Sequence, residues 1–235
     1  YQKLIHELSR AGIETGVHGL DAWQDAKVGM EEGDTLRALS GKSTVGIRMH
    51  WLYFSKASPS LLEQAGFAYD STVGYNEANG FRSGTTQVYC LPGASRILEL
   101  PLNIMDTALF YSGRMGLSEA AAMDLCKQLI NIVKSYGGVL TINWHTRSLS
   151  PERNWDSFYI ELLDILKTES VWFATAQAAV EWFERRRQIH FENVEMTARG
   201  VKVKLRGMNS TDLPGFSLRV HRPAEVRETR GHRRD

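Results

Sequence analysis

Apolar residues open the chain at Leu4, Ile5 and Leu8, the spacing of one helical face, and Gly12 then supplies a left-handed stop. From there to residue 188, short apolar runs take turns with longer helical stretches. The runs "IETGVHG", "STVGIRMH", "FAYDS", "ILELPLNIMD", "GVLTINWH" and "VWFAT" read as strands, each bounded by glycine or polar residues. Between the first two lies a polar segment with helical character to about Leu39. "SPSLLEQAGF" predicts a short helix with Ser58 as N-cap, Pro59 at the first helical position and Gly66 past the last turn. Ser118 is placed to cap a long helix whose apolar stripe runs through Ala121, Leu125, Leu129, Ile132, Val133 and Tyr136 and stops at Gly137 and Gly138. "WDSFYIELLDILK" and "TAQAAVEWFERRR", the latter capped by Thr175, are the last two helices. The stretch from Thr72 to Ala94 is too long for a plain connector and reads as a functional or mobile loop.

Strand and helix in alternation predict an α/β fold, a parallel sheet or barrel with crossover helices, over residues 1–188. At Ile189 the texture changes. "HFENVEMTARGVKVKLRG" and "GFSLRVHRP" alternate apolar and polar positions around turns, so 189–222 is expected to be a small antiparallel appendage and 223–235 a disordered tail. A length of 235 residues suits that division.

The 28 basic and 27 acidic residues leave a formal charge of +1, so no global field draws nucleic acid or an anionic membrane. No apolar run is long enough to span a bilayer, and residues 1–20 lack a signal-peptide pattern. Cys90 and Cys126 have neither the number nor the spacing of a disulfide framework, which fits a reducing, cytoplasmic compartment. The chain starts without Met and already in helical periodicity, and it is therefore expected to begin inside a longer protein.

The candidate chemistry gathers at strand ends. His18, Arg48 with His50, Asp106 and His145 each fall at or just past the C-terminal end of an expected strand, the edge where parallel strands converge on one site. Singly, each has a plain reading as a packed histidine, a surface arginine or a turn aspartate. Together they form a constellation. Asp106 beside His145 would fix the imidazole tautomer and favour a proton-donating ring. Arg48 would orient a carboxylate through a bidentate contact. His18, with His50 or Asp21, could hold a divalent metal, although Ala22 removes the spacing that puts two histidines on one helical face. His6, His190, His221 and His232 lie at helical, strand or tail positions and carry no such pattern.

The succession "ETGVHG", "GIRMHW", "GFAYDST", "LELPLNIMD" and "GGVLTINWHT" resembles the polysaccharide deacetylases of the NodB-homology type, carbohydrate esterase family 4, over roughly residues 1 to 186. The resemblance implies a distorted seven-stranded (β/α) barrel, a divalent metal that is usually zinc, and removal of N- or O-acetyl groups from a carbohydrate polymer. Residue by residue, it implies that His18 is a metal ligand, that Arg48 steadies the catalytic base, that His145 is the general acid and that Asp106 tunes it. Trp51 and Trp144 would line the groove, with Leu140 or Ile142 near the acetyl methyl. Two departures stand out. The family's second metal histidine is missing, so His50 or Asp21 must replace it, and the aspartate pair of its first strand is absent. Six expected strands against seven place that gap at the first strand, which would leave this chain crippled as an enzyme. The alternatives are a catalytically inactive barrel that binds glycan and a hydrolase acting on a small amide.

Overall fold

The structure is a computed structural model, and it describes residues 2–197, 200–207 and 214–218. Several of the apolar runs form strands buried on both faces, as parallel sheets covered by helices require. Strands β1 (Val17–Gly19), β2 (Ile47–Met49), β3 (Tyr69–Asp70), β4 (Tyr89–Cys90) and β5 (Leu98–Glu99) make one sheet in the order β1-β2-β3-β5-β4. All of its pairings are parallel except β4 with β5. β6 (Leu102–Met105) and β7 (Thr141–Asn143) pair in parallel as a second sheet.

The helices fall where capping chemistry puts them. After α1 (Gln2–Arg10), Asp25 caps α2 (Ala26–Ser40) by accepting from the Lys27 and Val28 amides, and Gly41 ends it with φ +69°. α3 (Ser58–Gln64) departs from expectation. Ala57 is its N-cap, and the buried Ser58 hydroxyl instead donates to the Trp23 carbonyl at 2.7 Å, tying the helix to the turn after β1. α4 (Asp106–Phe110) follows β6 directly. Ser118 caps α5 (Glu119–Tyr136), and Thr175 caps α7 (Ala176–Arg187) after α6 (Asp156–Thr168).

Two expectations are corrected. "ILELPLNIMD" is two strands, because Pro101 has no N–H to donate and interrupts the ladder. "VWFAT" is extended but pairs with nothing among the described residues, and Val171, Trp172 and Phe173 are exposed. With that strand unpaired, the outer edges of β1 and β7 also lack partners among the described residues, and of the expected barrel lacking its first strand the pairings show two sheets. What forms is a mixed α/β fold with a parallel sheet.

The expected loop from Thr72 to Ala94 is packed instead of loose. It carries β4, buries Val88, and bonds to the chain before β7 through Val139 N donating to Thr86 O at 2.8 Å. Beyond α7, β8 (His190–Thr197) and β9 (Gly200–Arg206) form an exposed antiparallel ribbon. The further strand expected in "GFSLRVHRP" is irregular over 215–218, where Phe216 packs on Trp182, and its remainder and the 223–235 tail lie outside the described residues. No helix among the described residues is long and apolar enough to cross a membrane.

Candidate functional site

The site is built on an acid and a histidine that are 39 residues apart in sequence. β6 runs directly into α4, so Asp106 starts a helix where the chain leaves the sheet, and it is fully buried. Its Oδ1 lies 2.6 Å from His145 Nδ1, and its Oδ2 accepts from the His145 backbone N–H at 2.7 Å. The Thr107 amide at 2.6 Å and the buried Ser148 side chain complete its partners. Burial alone would push this carboxyl up, but the His145 ring, Ser148 and the His145 N–H together outweigh that and hold it below the usual carboxylate range. An ionised Asp106 only accepts, so Nδ1 carries the hydrogen of the neutral ring and Nε2 is left for other work. His145 follows β7 and is half-exposed, with its imidazole free to meet a ligand.

Arg48 lies on β2, in register with His18 on β1. Its guanidinium donates from Nε to Ser71 O at 2.9 Å, from one terminal nitrogen to Ser71 Oγ at 2.8 Å, and from the other to Asn143 Oδ1 at 3.2 Å. That last bond crosses from the five-stranded sheet to β7, two residues before His145. The arginine is therefore a strut between the sheets, and no carboxylate among the described residues accepts from it.

His18 and His50 come together, with ring centroids 5.1 Å apart and planes at 89°. Burial, then the charges of His50, Arg48 and His145, lower the pKa of His18, which favours the neutral ring a metal would need. Asp21 does not join them. It heads the turn into α2, where it accepts from Gln24 Nε2 at 3.0 Å. Among the described residues no group of three His, Cys, Asp or Glu side chains is placed to hold a metal. Two imidazoles fall short of the three protein ligands of a catalytic zinc site, so the described residues do not by themselves fit the divalent metal expected from sequence.

With this arrangement in view, the likeness to known structures becomes interpretable. The chain resembles the crystal structure of a "putative polysaccharide deacetylase" from Mycobacterium smegmatis, with a TM-score of 0.59 and 20% identity over 79% of this chain and 68% of that one. The fold is deacetylase-like. No family model and no curated protein matches the sequence.

In this deacetylase-like fold the expected groove residues divide. Trp51 is exposed and carries φ 56°, ψ 15°, followed by Leu52 at φ 54°. Two successive non-glycine residues in the left-handed region cost about 1–3 kcal/mol each. Asn76 helps to hold this strained turn by donating to the Trp51 carbonyl at 2.7 Å, and the indole stands edge-on to His50. Trp144 turns the other way. It stacks on Tyr159 and Phe158 at centroid distances of 4.8 and 5.9 Å and is half-buried against the core that includes Phe158 and Leu162. Leu140 and Ile142 are half-buried against the same core.

Several functional side chains escaped the sequence reading. Ser148, Ser71 and Asn143 are small polar residues whose partners are distant in sequence, and nothing local marks them. Asp70 and Glu99 did leave a signal, since each is a lone acid inside a run that is otherwise buried and apolar.

Proposed function

We propose that this chain carries the proton-donating half of a hydrolase that removes acetyl groups from an N-acetylated sugar polymer. The observation that supports it is the Asp106–His145 pair, with a buried, hydrogen-bonded carboxylate behind a half-exposed imidazole, at an edge shared with Arg48, His18 and His50. Hydrolysis of an acetamide stalls unless the departing nitrogen is protonated, because an amide anion is too basic to leave. In this reading His145, as imidazolium, gives its Nε2 proton to that nitrogen as the C–N bond of the tetrahedral adduct breaks, releasing the sugar amine and acetate. Asp106 stays ionised and holds the ring in place. An O-acetyl group would require the same donation to an alkoxide.

The zinc that the sequence resemblance implies would polarise the acetyl carbonyl, with His18 and His50 as ligands. It would need a third donor from outside the described residues, and the reaction would need a general base. The reading assigns both to an acidic pair on a strand beside β1.

The test is acetate release from chito-oligosaccharides, with and without added Zn²⁺, by a form of the protein that carries that acidic pair. Release is expected, and His145→Ala should lower kcat by roughly 100-fold or more with little change in KM. An unchanged kcat would remove His145 from the chemistry. The absence of a three-donor group among the described residues favours a second reading, a glycan-binding relative of this fold without catalysis. Oligosaccharide binding by calorimetry with no acetate released, by the native chain and by one extended upstream of Tyr1, would establish it.

A further inference from the structure

Directly behind Arg48 lies a pair of acids that the proposed chemistry does not use. Asp70 on β3 and Glu99 on β5 are register partners on adjacent parallel strands, so their side chains leave the sheet on the same face. Neither has any solvent contact. Each spends one oxygen on the backbone or a neighbour. Asp70 Oδ1 takes the Thr72 hydroxyl, which in turn accepts the Met49 amide at 3.0 Å, while Glu99 Oε1 takes the Val73 amide at 2.8 Å. The other two oxygens, Asp70 Oδ2 and Glu99 Oε2, have no donor at all. The two carboxyl groups are nevertheless register neighbours on one face, close enough for each to bear on the other's protonation.

Two carboxylates only accept, so two buried acids facing one another leave both oxygens orphaned unless a proton lies between them. The charge balance points the same way. The charged and titratable groups around the pair are Arg48 on β2, Tyr69 on β3 and Tyr89 on β4, and both phenols are held neutral by burial. One fixed cation therefore faces two acids, and a buried cluster is neutral only if one acid keeps its hydrogen.

We propose that Asp70 and Glu99 share one proton and that this singly charged dyad is the positioning device for Arg48. The dyad pins the Ser71–Val73 turn through Thr72 and Val73, Ser71 receives two of the arginine's donors, and the third reaches Asn143 on the strand that delivers His145. This rests on Arg48 belonging to the proposed site, but its test does not use turnover, so the two ideas fail separately.

The electrostatics support the dyad. Burial raises Asp70 to about 6 and raises Glu99 well above the ordinary carboxylate value, where the Asp70 charge adds to the effect. For acids raised on folding, stability is fully present below the ordinary carboxylate range and is lost as pH rises through the folded values.

The experiment is a carboxyl ¹³C titration of the native protein, with Glu99→Gln and Glu99→Ala as comparison variants. Glu99 is expected to remain protonated at pH 6, and Glu99→Gln, which replaces the acid by a neutral donor, should flatten the decline of stability with rising pH. The Arg48 Nε–H should exchange slowly in the native protein and in Glu99→Gln, and about tenfold faster in Glu99→Ala, where the orphaned Asp70 loses its partner. A Glu99 carboxyl fully ionised at pH 6 would overturn the proposal even if neither variant folds. So would equal Arg48 exchange in the two variants.

Discussion

Asp106 accepts from four groups in a place without solvent, and this accounts for both its ionised state and the orientation of His145. Asparagine has the same shape but only one acceptor oxygen, so Asp106→Asn would turn an amide donor toward a backbone N–H. The expected cost is about 1.5–3 kcal/mol of unfolding free energy, the range for hydrogen bonds to charged groups. The pH dependence has a definite sign. A carboxyl held below its usual range on folding contributes stability that is present above the ordinary carboxylate value and is lost as pH falls through the folded value. Urea unfolding followed from pH 6 downward should therefore show the native protein losing more stability on acidification than Asp106→Asn; parallel curves would count against the assignment. At this scale the sequence was informative about type and place. A lone His after an apolar strand and a lone Asp after another were both readable as chemistry, whereas Ser148, which completes the pair's surroundings, was not. Its contribution depends only on the return of a loop to α4.

Among the elements, α5 separates local pattern from tertiary choice most clearly. Its limits and its Ser118 cap follow from sequence, yet the buried face is Ala122, Met123, Cys126, Leu129 and Ile130, not the stripe through Ala121, Ile132 and Tyr136. Both sets have helical spacing, and Leu129 belongs to each. The face was decided by what α5 meets, which is a core shared with Ile104, Leu109 and, from α6, Phe158 and Leu162. Leu129→Ala should cost about 2–5 kcal/mol, the range for a truncated core leucine. Ile132→Ser and Tyr136→Ser should each stay within about 0.5 kcal/mol, as exposed substitutions do. Thermal or urea unfolding of the three variants checks the face directly, and a reversed order would restore the stripe expected from sequence.

For the molecule as a whole, the two sheets are coupled through long-range bonds, among which Arg48 to Asn143 reaches the strand that leads to His145. Arg48→Ala would remove the cation that faces Asp70 and Glu99 as well as the strut. The expected loss is about 3–5 kcal/mol, typical of leaving a buried charge unpaired, with faster amide exchange in β7 than in β3. Equal exchange in the two strands would deny Arg48 its bridging role. By itself the sequence determined the alternation of short apolar strands with capped helices and the presence of histidine, arginine and aspartate at strand ends, because those depend on spacing and on neighbours within a few residues. Only the tertiary structure decided that the strands divide between two sheets, that His18 meets His50 but not Asp21, that Trp144 packs inward and that Asp70 lies against Glu99. Each of these depends on which strands become neighbours and in what register, and in a parallel fold that is set by backbone partners tens of residues away.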